Sequence, residues 1–141
     1  MSRFLRSKFE KLTPYTPGEQ PEEGKYIKLN TNESPYSPGI ANRYRLNRYS
    51  DHTCSLLREK LGELYGVSAD NIICGNGSDE ILYLAFNAFF DEAAFPDVTY
   101  GFYKVFADGL GIEKKIIPLT EDYRIEQEDY KDLGCGIVIA N

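Results

Sequence analysis

The ten residues from Asn71 to Glu80, NIICGNGSDE, leave the chain little choice of architecture. A short apolar run, Ile72-Ile73-Cys74, enters Gly75-Asn76-Gly77, and Ser78-Asp79-Glu80 then opens a stretch that stays apolar through Phe90. The pattern reads as a strand, a glycine turn and a helix. Two glycines free the backbone for conformations that a side chain forbids. Gly77 or Ser78 serves as N-cap, and the two acids in the first turn suit the positive end of the helix dipole. Unpaired N–H groups at such a helix start cradle a phosphate or another anion, while a plain turn with no ligand is an equally weighted reading. Glu80 occupies the place of the third glycine of a dinucleotide fingerprint and argues against one. No Lys-Ser or Lys-Thr follows the glycines, so the turn is not a nucleotide P-loop.

Around this turn the apolar residues alternate between two periods. Leu56, Leu57, Leu61, Leu64 and Tyr65 share one side of a helix near 52–65, capped by Ser50 or Asp51 and ended by Gly66. The helix over 78–90 carries apolar residues nearly all round and is expected to be buried. A third helix is expected near 100–110, and strands near 71–74, 93–96, 115–119 and 136–140, with 26–29 a further candidate. Alternating strands and helices imply an α/β fold with a mainly parallel sheet and helices on both faces. The strands near 71–74 and 136–140 are expected in one sheet, with ligands beyond the carboxyl ends of the strands. The sheet reads as cut short at Asn141.

Pro14, Pro17, Gly18, Pro21 and Gly24 break up the polar first 25 residues, which read as an arm needing another surface to lie on. The expected division is an arm and dimer-contact segment over 1–50, followed by the first part of a ligand-binding domain over 51–141. With 141 residues and a formal charge of −6, the chain has room for one modest core and no basic surface for nucleic acid or an anionic membrane. Cys54, Cys74 and Cys135 form no close pair; Cys74 and Cys135, in or beside apolar runs, are expected as buried free thiols, and with His52 alone a metal site is not expected. No run of about 18 apolar residues is present, and the N-terminus lacks the apolar region of a signal peptide, so the protein reads as cytoplasmic.

Four stretches in order carry a resemblance: LNTNESPYSP at 29–38, NRYSD at 47–51, GNGSDEI at 75–81 and FPDVTYGFY at 95–103. Together they resemble the N-terminal portion of the histidinol-phosphate aminotransferases, fold-type I enzymes that use pyridoxal 5′-phosphate (PLP). The resemblance implies that the segment Gly77-Ser78-Asp79 holds the PLP phosphate and that Tyr100 stacks on the pyridine ring. It implies that Tyr49 reaches into the partner subunit's site of a homodimer and touches the cofactor phosphate. It also places Tyr15 and Asn32 near a small phosphorylated amino substrate. The carboxylate of Asp79, beside an anion, is expected to turn away and accept from nearby groups.

Transamination needs a lysine that carries PLP and moves protons. Neither Lys104 nor Lys115 matches the family's catalytic position, so no catalytic residue is assigned in this chain. Other readings are a threonine-phosphate decarboxylase-like enzyme, a non-catalytic fragment that binds phosphate, and a nicotinamide-binding domain disfavoured by Glu80. The NESPYSP loop favours the aminotransferase.

Overall fold

A computed structural model describes residues 2–18, 27–37, 39 and 46–140. Tyr26 of the candidate strand, Pro21 and Gly24 of the arm, Pro38 and Asn141 lie outside the described residues. The chain divides into two compact units: Met1–Leu12 with Gly75–Asn141, and Thr13–Cys74.

The first unit is built on a parallel sheet of order β2-β1-β3, comprising β1 (Glu92–Pro96), β2 (Glu113–Ile117) and β3 (Gly136–Ile137). In β1, Ala93, Ala94, Phe95 and Pro96 are all buried, as expected of a central parallel strand. Its register pairs Ala93 with Lys114 on one side and with Gly136 on the other. A helix, α3 (Phe102–Leu110), makes the crossover from β1 to β2. Gly111 closes that helix in the left-handed region at φ 65°, where glycine carries no steric penalty. β2 ends at Ile117 because Pro118 has no N–H to donate to a ladder.

Helix α2 (Ser78–Phe89) packs on α3, and Phe86 is the centre of the contact. Its ring lies 5.1 Å from Phe90, 5.9 Å from Phe106 and 6.1 Å from Tyr103 between centroids. Phe86 and Phe95 are fully buried, and burial of each such side chain contributes about 1.5–3 kcal/mol. The arm docks here as well. The Arg6 N–H donates to Ala88 O at 2.9 Å, and its guanidinium donates to Asn87 O at 3.4 Å and to Asp91 Oδ1 at 2.7 Å. Arg6 therefore places positive charge on the carbonyl end of α2, where the dipole favours it.

The second unit holds α1 (Ser55–Tyr65) and the single turn of 3₁₀ helix Ala69–Asn71. The α1 helix begins three residues later than its sequence suggests. Cys54 takes φ 50°, and the Asp51 carboxylate instead folds over the helix start, accepting from Ser55 N at 2.8 Å and from the Ser55 hydroxyl. Gly66 ends the helix at φ 66°, as expected.

Several expectations are corrected. No strand forms over 71–74: Ser68 caps the 3₁₀ turn through Asn71, which consumes the first residue of the run. Ile72–Cys74 then continue without a ladder in the second unit, so the expected pairing of 71–74 with 136–140 is absent. Residues 27–29 form no strand, and the last strand shrinks to Gly136–Ile137, although Val138 N still donates to Ala94 O at 2.9 Å. Helix α2 is covered on one side; Leu84 and Phe89 remain 45% exposed, because β1 and α3 reach one face of it. All three cysteines are free, and Cys74 and Cys135, expected to be buried, are half-buried, since the packing around each is incomplete.

Candidate functional site

The start of α2 owes its shape to Gly77. This residue adopts φ 85° and ψ 170°, a region closed to L side chains, and acts as N-cap without any side-chain cap bond. The turn before it is tied internally: Gly77 N donates to Gly75 O at 3.1 Å, and Asn76 N donates to Glu80 Oε2 at 2.6 Å. Glu80, whose bulk argued against a dinucleotide fold, here reaches back from the third helical position to the residue before the N-cap. Gly75 allows this closure. A Cβ on it would lie 2.6 Å from Ile81 Cδ1 and 2.8 Å from Glu80 Oε2.

The backbone ahead of Gly77 is open, with nothing within 4 Å of where a Cβ would point. Ser78 and Asp79 occupy the first turn, where helical N–H groups have no intrahelical acceptor. N–H groups of this kind, with a serine hydroxyl in the same turn, are donors that can hold a phosphate.

Tyr100 belongs to the turn between β1 and α3, and its hydroxyl donates to Asp79 Oδ1 at 2.8 Å. The Asp79 carboxylate thus accepts as expected, and its donor is Tyr100, a pairing the sequence did not name. This hydrogen bond, with burial and the nearby negative charge, raises the Tyr100 pKa above 10.0. Its ring stacks on Phe102 at 5.7 Å, meets Tyr103 edge-on at 5.5 Å and stays 41% exposed. The turn itself is pinned by Asp97, whose Oδ1 accepts from Val98 N at 2.8 Å and from Leu119 N at 3.0 Å. Gly77, Ser78, Asp79 and Tyr100 accordingly come together in the first unit.

Tyr15, Asn32 and Tyr49 belong to the second unit. Asn32 is in the left-handed region at φ 52°, next to Thr31 at φ 65°. The residue the sequence reading passed over is Glu33. Its side chain is 3% exposed and holds Lys28 Nζ at 2.6 Å and Arg48 Nη1 at 2.9 Å. It also accepts the backbone N–H of Tyr49 at 2.9 Å. The Lys28 hydrogen bond, then the Tyr49 N–H and the Arg48 bond, lower its pKa from 4.5 to about 2 against the opposing effect of burial. Glu33 therefore links the turn bearing Asn32 to the turn bearing Tyr49. Tyr15 is 86% exposed, and among the described residues no hydrogen bond or ring contact joins it to them. A bond spanning fifteen residues of irregular chain has no periodicity, and the lone acid of NESPYSP, flanked in sequence by Lys28 and Arg48, was its one trace.

No group of three or more His, Cys, Asp or Glu side chains able to hold a metal occurs among the described residues. Nor is any described helix long and apolar enough to cross a membrane.

Relatives place this geometry in context. The chain is 47% identical to the histidinol-phosphate aminotransferase of Marinomonas sp. (strain MWYL1), across 100% of this chain and 43% of that protein. It is 45% identical to the enzyme of the same name from Brachyspira hyodysenteriae, again over all of this chain and 43% of the relative. The chain thus spans about 43% of the length of these curated relatives. Among solved structures, a protein of Erwinia carotovora atroseptica, provisionally named a histidinol-phosphate aminotransferase, matches with a TM-score of 0.53 and 27% identity. That match covers 73% of this chain and 33% of the solved one. Residues 25–137 match the family described as Aminotransferase class I and II, and the chain belongs to it.

Proposed function

We propose that this chain is the cofactor-phosphate-binding N-terminal part of a PLP-dependent aminotransferase that acts on histidinol phosphate in histidine biosynthesis. The observation that carries the reading is the open, uncapped start of α2 at Gly77, with the Asp79–Tyr100 bond beside it. The identity to histidinol-phosphate aminotransferases along the whole chain supports it.

When bound, PLP supplies an electron sink that allows an amino group to leave one carbon skeleton and join another. The residues of this chain bind and orient. The Ser78 and Asp79 N–H groups and the Ser78 hydroxyl hold the cofactor phosphate at the positive end of α2. Asp79, by accepting from the Tyr100 hydroxyl, fixes the ring that would pack on the pyridine. Tyr49 contributes to the phosphate site of the partner subunit in a homodimer, and Asn32 and Tyr15 contact the substrate. The lysine that moves the protons and the arginines that bind the carboxylate of the 2-oxo acid belong to the part of the relatives' length that this chain does not span. The amino group passes from histidinol phosphate to 2-oxoglutarate, giving imidazole acetol phosphate and glutamate, in the cytoplasm.

The test is an assay of the full-length enzyme supplied with PLP, 2-oxoglutarate and either histidinol phosphate or threonine phosphate. Glutamate formed with histidinol phosphate supports the reading. Carbon dioxide released from threonine phosphate, with no glutamate formed from histidinol phosphate, overturns it.

A further inference from the structure

The second unit contains a nearly buried carboxylate that none of the assigned roles uses. Glu33 is 3% exposed at its side chain, yet it carries a full charge against two cations. A charge taken out of water is tolerated only when paired and hydrogen-bonded, and here the pairing is complete. One oxygen takes Lys28 Nζ and the Tyr49 N–H, and the other takes Arg48 Nη1.

The same two turns are joined again by Asn47 Nδ2, which donates to Ser34 O at 2.8 Å. On the near side, Lys28 Nζ also donates to the Thr31 hydroxyl at 2.7 Å, and that hydroxyl donates to Asn30 O at 2.7 Å. These bonds brace two consecutive non-glycine residues, Thr31 and Asn32, at positive φ. Such backbone persists where surrounding structure over-determines it. The ring of Tyr49 is spent on none of this. Its backbone is held while the residue stays 68% exposed.

We infer that Glu33 is a positioning residue, whose carboxylate locks the turn of Tyr49 to the turn of Asn32 so that both side chains are offered from one fixed frame. The depressed pKa of Glu33 keeps that lock charged throughout the neutral range. The inference rests on the proposed placement of Tyr49 at the cofactor phosphate.

The experiment is a double-mutant cycle in the full-length enzyme, with PLP affinity read by absorbance titration and amide exchange read at Tyr49. Tyr49→Phe removes the hydroxyl and should weaken PLP about tenfold, the worth of one hydrogen bond. Glu33→Gln should weaken it to a similar degree and speed exchange of the Tyr49 amide, while amides of α1 keep their protection. The double variant should stay within about twofold of the weaker single, because both changes remove the same contact. Glu33→Asp keeps the charge for Lys28 and Arg48 but withdraws the acceptor from the Tyr49 N–H, and the same loss is expected if the glutamine variant fails to fold. Additive losses overturn the positioning role, as does full PLP affinity in the Glu33 variants when Tyr49→Phe is weakened. Unchanged affinity in Tyr49→Phe overturns instead the placement of Tyr49 on which the inference stands.

Discussion

At the scale of single residues, two glycines in one turn have different reasons to be glycine. Gly75 is held by contact, since a Cβ would strike Ile81, and Gly77 by conformation, at φ 85°. Gly77→Val should therefore abolish PLP retention in the full-length enzyme by displacing the cradle. Ser78→Ala should weaken it about tenfold, a loss of about 1.4 kcal/mol for one hydrogen bond. Absorbance titration with PLP distinguishes the two, and equal affinity in both variants would contradict the account. Tyr100→Phe should cost less than Tyr100→Ala, because the ring survives and only its bond to Asp79 is lost. At this scale the sequence was legible where chemistry is local. The glycine turn and the first-turn place of its acids could be read because both are local, whereas the bond of Asp79 to Tyr100 spans 21 residues and could not. Glu80 was read for its bulk and not for its reach to Asn76, and Glu33 was passed over because its partners lie far along the chain.

Among the elements, helices were easier to read than strands, for a physical reason. A helix satisfies its own backbone, so Ser55–Tyr65, Ser78–Phe89 and Phe102–Leu110 appear close to where their apolar spacing places them. A strand depends on neighbours, and Ile72–Cys74 has none among the described residues, whereas Ala93–Pro96 lies between two. The near-complete apolar surface of α2 was read as burial, but composition does not say which neighbour covers each side. Packing of β3 against Phe90, the residue after α2, gives a sharper test. A Cβ on Gly136 would lie well inside contact distance of the Phe90 ring, so Gly136→Ala should destabilise by about 1–3 kcal/mol in a urea titration. Gly109, inside α3 with nothing within 4 Å of its missing Cβ, should behave in the opposite way. Gly109→Ala should stabilise by about 0.8–1 kcal/mol through helix propensity, measured in the same titration.

For the whole molecule, acid is the condition that exposes the turn architecture. Glu33 and Asp51 both have folded-state pKa values below their ordinary ones, Asp51 chiefly through the hydroxyls of Ser55 and Thr53. Groups shifted downward contribute stability above the unfolded-state pKa and lose it as pH falls through the folded-state value. The contribution of Glu33 is therefore complete above about pH 4.5 and lost toward pH 2. Circular dichroism against pH should show a shallower decline over that window in Glu33→Gln than in the parent. In the intact enzyme a homodimer is expected, and a stable monomer at micromolar concentration would count against it. The central claim is that the start of α2 holds the cofactor phosphate. A crystal structure of the full-length enzyme loaded with PLP tests it most directly. The account predicts phosphate oxygens within hydrogen-bond distance, about 2.7–3.2 Å, of the Ser78 and Asp79 N–H groups, with the pyridine against Tyr100. A phosphate bound elsewhere, with the first turn of α2 facing solvent, would contradict it.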